Sequence, residues 1–80
     1  MTKYIDAVRT VTDLDDGESA FPEADVTYVC YPTPPAKGTE LPVHRIERRG
    51  ETIVAVSVAG VERCIAGDGA AFSIRGRYVR

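Results

Sequence analysis

The chain has 80 residues, a formal net charge of −2 and a hydrophobic content of 44%. Such a length holds one domain, expected over residues 1–80, and the apolar content excludes a disordered tail. No apolar run approaches the roughly 20 residues of a membrane-spanning helix, and the first residues lack the features of a signal peptide, so a cytoplasmic location without a membrane partner is predicted.

The charges are unevenly distributed along the chain. Residues 1–42 carry three basic and eight acidic side chains, a net charge of −5, whereas residues 43–80 carry seven arginines and four acids, a net charge of +3. This asymmetry predicts either two electrostatically different faces or an attraction between the two halves of one fold.

The first third of the chain combines an ambiguous segment with a polar connection. Residues 3–14 place apolar side chains at helical spacing, namely Tyr4, Ile5, Val8 and Val11. The β-branched run 10–12 favours a strand instead, and a short helix is the preferred interpretation. Residues 13–24 are predicted to form a polar connection with a turn at residues 15–17.

The rest of the chain has the alternation of antiparallel strands. Five strands are predicted, over residues 25–31, 41–49, 52–58, 61–65 and 70–79. In the first of them, Val26, Tyr28 and Cys30 are expected on one face, and the prolines after it end the strand. The predicted fold class is α+β and mainly β, with about five antiparallel strands in a small barrel or open sandwich and one short helix.

The sequence contains no recognisable catalytic or metal-binding set. Structural zinc needs four closely spaced ligands, and the chain has one histidine and two cysteines far apart, so no metal and no cofactor are expected. Cys30 with His44 is the only formal pair of nucleophile and base, and nothing around it marks an activated thiol. The chain is therefore predicted not to be an enzyme.

The two cysteines, Cys30 and Cys64, both fall in predicted strands. A disulfide between them would add roughly 3–4 kcal/mol to the free energy of unfolding in the chain-entropy model. The alternative is two buried reduced thiols, which is the usual state in a cytosol. Both interpretations give these residues a structural role.

The acidic segment is the strongest functional lead. Six carboxylates lie within thirteen positions without an intervening Lys or Arg, and they are the predicted partner-binding residues: Asp13, Asp15, Asp16, Glu18, Glu23 and Asp25. They form either a solvated loop or a surface that meets a basic partner such as a nucleic-acid-binding groove. Direct nucleic-acid binding by the arginines is less favoured, because acids are interspersed among them.

In its format the chain resembles the small phage-encoded anti-CRISPR proteins that act on type I effector complexes. The acidic run over residues 13–25, Cys30 with Cys64 in a small β frame and the missing catalytic set carry this resemblance. It implies a stoichiometric inhibitor that binds a basic effector surface in the bacterial cytoplasm and blocks target DNA. The basic half, residues 44–80, departs from a wholly acidic DNA mimic and favours a single acidic face.

The sequence thus predicts a non-enzymatic inhibitor that uses an acidic surface against a basic nucleic-acid-binding complex. The alternative is a small β-rich phage structural or adaptor module that self-associates through its sheet edges.

Overall fold

The computed structural model describes residues 3–80 and is built almost entirely of short strands. Within these residues there is no α-helix, and the only helical element is a single 3₁₀ turn at Val11–Asp13. The nine strands are β1 (Tyr4–Asp6), β2 (Ser19–Pro22), β3 (Val29–Pro32), β4 (Leu41–Pro42), β5 (Arg45–Arg49), β6 (Thr52–Val56), β7 (Glu62–Gly67), β8 (Phe72–Ser73) and β9 (Arg77–Val79).

The strands form two antiparallel sheets. The larger sheet has six strands in the order β1-β9-β2-β5-β6-β7, and the smaller has three in the order β4-β3-β8. The last strand of the chain, β9, lies between β1 and β2, so both ends of the chain belong to the same sheet. The predicted mainly β, antiparallel fold is confirmed, and the architecture is an open pair of sheets without a closed barrel in the described residues.

The hairpin of β5 and β6 shows why these residues form strands. Ile46 pairs with Ala55, and both side chains are buried, whereas the flanking Arg45 and Glu47 are only half-buried on the opposite face. This alternation is the two-residue period of a strand with one face on the core. A bulge at Ile53 and Val54 shifts the register where β6 pairs with β7.

The core lies between the two sheets. Its fully buried large side chains come from both halves of the chain and are Leu14, Cys30, Ile46, Ile53 and Tyr78. Among residues 3–80 no helix is long and apolar enough to cross a membrane.

The predicted helix near the start of the chain is wrong. Tyr4–Asp6 form a strand on β9, and Ala7 then turns the chain with a positive φ of 40°. A helix would need continuous right-handed backbone at this point. The tertiary pairing with β9 therefore overrides the helical spacing of the apolar residues.

Three strand boundaries also differ from prediction. Ser19–Pro22 form β2 inside the predicted polar connection, paired with β5 and β9. The strand expected at residues 25–31 begins only at Val29, because Asp25 has a left-handed φ of 63° in the turn before it. The strand expected at residues 70–79 is divided into β8 and β9 by Gly76, which has a φ of 97°.

Candidate partner-binding surface

The start of the predicted acidic segment is held by the fold itself. The Asp13 carboxylate accepts hydrogen bonds from the backbone N–H groups of Arg9 and Thr10, at 2.7 and 3.2 Å, and so caps the 3₁₀ turn. Glu18 accepts from the Asp15 N–H at 2.9 Å and lies 3.7 Å from the guanidinium of Arg80. Asp13 and Glu18 therefore serve local structure as well as surface charge.

The far end of the segment is also neutralised in part. Glu23 lies 3.7 Å from the Arg77 guanidinium and accepts a hydrogen bond from the Tyr28 hydroxyl at 3.3 Å. Asp25 is exposed in the following turn. Strand β2 separates these two residues from the turn at 15–17 by roughly 13 Å, the length of a four-residue strand. The six predicted residues therefore lie at both ends of β2 and not in a single turn.

Asp15 and Asp16 belong instead to an acidic cluster that the fold assembles at one end of the larger sheet. The Asp16 carboxylate accepts a hydrogen bond from the Gly50 N–H at 2.9 Å, which fixes the 15–17 turn against the β5–β6 turn. The Gly17 N–H strengthens this contact by donating to the Arg48 carbonyl oxygen at 3.1 Å. Asp16 is thereby placed next to the turn that carries Glu51.

The β7–β8 turn completes this cluster. Thr52 pairs with Gly67, and a Cβ on Gly67 would overlap the carbonyl oxygen of Glu51, so the two turns are in direct backbone contact. Four exposed acidic residues thus lie in three adjacent turns at this end of the sheet, and we call them the acidic rim: Asp15, Asp16, Glu51 and Asp68. Adjacency in sequence indicated only the first two.

Comparisons with protein-family models, with curated proteins and with solved structures all find no match.

The opposite charges of the two halves attract each other within the fold. Arg77 and Arg80 of the basic half pair with Glu23 and Glu18 of the acidic half. Arg48 donates to the Leu14 carbonyl oxygen at 2.8 Å and so ties β5 to the acidic segment. Of the two interpretations of the charge asymmetry, this internal attraction is the one that the ion pairs support. The acidic rim, with two residues from each half, stays exposed to solvent.

A second charged network covers the outer face of the larger sheet. Arg49 lies between Glu47, at 2.8 Å, and Glu62, with which it forms two hydrogen bonds. The hydrogen bond from Arg49 lowers the pKa of each carboxyl below its ordinary value of about 4.5, while these two carboxylates raise the pKa of Arg49. Arg49 therefore pairs with Glu47 and Glu62, although it lies only two positions from the rim residue Glu51 in the sequence.

The Arg49 network predicts a specific loss of stability in acid. Because the folded-state pKa of Glu47 and Glu62 lies below the unfolded value, their contribution is complete above pH 4.5 and is lost as pH falls through the folded pKa. We expect Arg49→Gln to lower the Tm at neutral pH and the difference from wild type to disappear between about pH 4.5 and about pH 2. Thermal melts followed by circular dichroism over this range test the prediction.

Arg75→Gln is the matched control for the acid titration, because Arg75 has no carboxylate within ion-pair distance in the described residues. Its Tm difference from wild type should not change between the same two pH values. A constant difference for Arg49→Gln would contradict the assignment of the lowered pKa values.

The cysteines and the histidine do not form a reactive pair. Cys30 and Cys64 are not joined by a disulfide in this structure; the Cys30 side chain is buried and that of Cys64 is half-buried. Burial raises the pKa of the Cys30 thiol, which makes it a poor nucleophile. His44 is exposed and packs its ring edge-on against Phe21, with 6.0 Å between ring centres.

The outer face near β1 carries a short apolar row. Tyr4 and Phe21 both pair with Val79, so their side chains flank it on one face of the sheet, and each aromatic residue is 47% exposed. Arg77 covers the Tyr4 ring, with its guanidinium carbon 4.0 Å from the ring centre. No group of three or more metal-ligating side chains occurs in residues 3–80.

Proposed function

We propose that this chain is a non-enzymatic inhibitor that binds the DNA-binding surface of a type I CRISPR effector complex through the acidic rim. The observation that carries the proposal is the convergence of Asp15, Asp16, Glu51 and Asp68 on three turns that the backbone holds together. Such effector surfaces present basic side chains to phosphates, and carboxylates are the groups that complement them.

The rigidity of the turns supports this function. The 15–17 turn is bonded to the β5–β6 turn through Gly17 and Asp16, and the β5–β6 turn is in contact with the β7–β8 turn. Carboxylates on a fixed frame lose little conformational freedom when a partner binds. A set of negative charges fixed in this way competes with DNA for the same basic groove and accelerates association at low salt.

The test is a DNA-binding assay with a purified type I effector complex and its target duplex. We expect the wild-type chain to reduce the gel shift of the duplex in proportion to its concentration, and to do so less at high salt. The variant Asp16→Asn with Glu51→Gln removes two rim charges and keeps the oxygen that accepts from the Gly50 N–H. Its affinity should fall roughly two- to thirtyfold, since exposed ion pairs contribute about 0.2–1 kcal/mol each and two are removed.

The matched control removes two charges elsewhere. Asp25→Asn with Glu40→Gln changes the net charge equally at exposed positions outside the rim, and Asn tolerates the left-handed backbone of residue 25. Inhibition should stay at the wild-type level. Equal losses in the two double variants would show that only net charge matters, and no inhibition by the wild-type chain would reject the proposal.

A second candidate function is a self-associating structural module, and one observation favours it. The apolar row of Tyr4, Val79 and Phe21 lies beside β1, which is an edge strand of the larger sheet. Edge strands with exposed apolar side chains pair with other chains. Sedimentation analysis distinguishes the candidates, because a concentration-dependent dimer that Phe21→Ser abolishes would favour the structural module.

A further inference from the structure

A pocket on the smaller sheet has the features of a ligand site that is separate from the acidic rim. It is an open cavity of about 380 Å³, and its lining residues are Thr27, Tyr28, Val29, Tyr31, Glu40 and Arg75. The volume lies within the range of small-molecule sites, about 300–1,000 Å³. Three of the six lining residues are apolar or aromatic, and one cation and one anion are the charged groups.

The Arg75 side chain is fixed by Tyr31 in a position from which it can bind an anion. Its guanidinium carbon lies 5.2 Å from the centre of the Tyr31 ring, and its Nε donates to the Tyr31 hydroxyl oxygen at 3.0 Å. In the described part of the chain the two terminal nitrogens of Arg75 have no acceptor and no carboxylate within 4.0 Å. The planar fork of a guanidinium matches a carboxylate through two parallel hydrogen bonds. The Tyr31 hydroxyl, which accepts from Arg75, still has its own proton to donate to the same anion.

The charged neighbours of Arg77 differ from those of Arg75. Arg77 also lies over a tyrosine ring, that of Tyr4, but Asp6 and Glu23 stand within 3.5 and 3.7 Å of its guanidinium. Of the two arginines stacked on tyrosine rings, the fold therefore neutralises Arg77 with two carboxylates and leaves Arg75 without any among residues 3–80. An arginine that is positioned but not neutralised is the form that a binding site for an anion requires.

Glu40 restricts the kind of anion that fits. It lines the same pocket as an exposed carboxylate, so a ligand with several negative charges, such as a nucleic acid, would meet repulsion there. A ligand with one carboxylate and one ammonium group satisfies both charges. We propose that this pocket binds a small zwitterion, an α-amino acid with an apolar side chain, whose carboxylate pairs with Arg75 and whose ammonium faces Glu40.

The experiment uses three probes that share one side chain. Leucine carries both charges, N-acetyl-leucine lacks the ammonium group, and leucinamide lacks the carboxylate. Each is titrated into the ¹⁵N-labelled full chain and followed by two-dimensional NMR, at probe concentrations up to about 50 mM, because ligands of this size bind in the millimolar range. We expect leucine to shift the backbone amide signals of Thr27, Val29, Tyr31 and Glu40, N-acetyl-leucine to bind more weakly, and leucinamide to leave the signals unchanged.

Variants identify the group that binds the carboxylate. Arg75→Gln should lower the affinity for leucine at least about tenfold, since hydrogen bonds to charged groups are the strong ones. Arg77→Gln is the matched control and should bind leucine as the wild type does. Glu40→Gln should raise the affinity for N-acetyl-leucine to that for leucine.

Three outcomes would overturn the proposal. The first is the absence of shifts with every probe, and the second is equal binding of leucine and leucinamide. The third is tighter binding of N-acetyl-leucine than of leucine to the wild type, which would assign the pocket to the carboxyl end of a peptide instead. None of these results depends on the acidic rim, so the inhibitor function can hold or fail independently.

Discussion

Replacing Gly67 with Ala should destabilise the protein by about 3–5 kcal/mol, the range of the most disruptive single substitutions. Gly67 has a φ of 95°, which side chains adopt only under strain, and its new Cβ would overlap the carbonyl oxygen of Glu51 and lie 3.0 Å from the Cα of Thr52. Both neighbours are backbone atoms, one in the β5–β6 turn and one at the start of β6, which pairs with β7. The overlap can therefore be relieved only if the backbone at Gly67 moves away from that of Glu51 and Thr52. Urea denaturation followed by circular dichroism measures the loss.

Gly69→Ala isolates the steric part of this effect. Gly69 has a similar φ of 82° in the same turn, but a Cβ there would meet no atom within 4 Å. Its substitution should cost only the backbone strain, about 1–2 kcal/mol. If the two variants lose the same stability, the close contact between Gly67 and Glu51 does not exist in solution. The adjacency of two turns of the acidic rim would then also be in doubt.

The sequence predicts the second half of the fold better than the first. Strands β5, β6 and β7 follow each other through short turns, so the alternation of their side chains and the turn residues between them indicate both the strands and their order. Strands β1 and β2 pair instead with β9 at the far end of the chain. Nothing within residues 3–24 indicates that distant partner, and the local pattern alone favours a helix and a loop there.

The candidate site shows the same limit of local patterns. The acidic run is visible in the sequence, but its residues differ in role once their contacts are known. Glu18 and Glu23 face arginines of the basic half, whereas Asp16 is fixed beside Gly50 and so joins Glu51. The signal for Glu51 and Asp68 was present as glycine-rich turns, but only the register of β6 with β7 brings those turns together.

Leu14→Ala should be the second severe substitution, at about 3–4 kcal/mol, within the range for Leu→Ala in cores. Leu14 is 0% exposed and is the only buried residue between Ile5 and Ala20. Apart from Leu14, hydrogen bonds and half-buried contacts hold the irregular stretch between Ile5 and Ala20. Leu14 therefore anchors that stretch in the core. Val11→Ala is the control, because Val11 is half-buried against the same core and should cost only about 1 kcal/mol. Urea denaturation of both variants tests the difference.

Hydrogen exchange of the Leu14→Ala variant shows how the acidic segment is stabilised. The Gly17 and Glu18 N–H groups are bonded to the carbonyl oxygens of Arg48 and Asp15, so their exchange reports whether the turn stays on β5. If Leu14 anchors the turn, these two amides should lose protection even where Ile46 and Ala55 in the β5–β6 pair keep theirs. The rim carboxylates Asp15 and Asp16 would then leave their fixed positions, and inhibition should weaken although their charges remain. Uniform loss of protection would mean instead that the segment unfolds only with the whole domain.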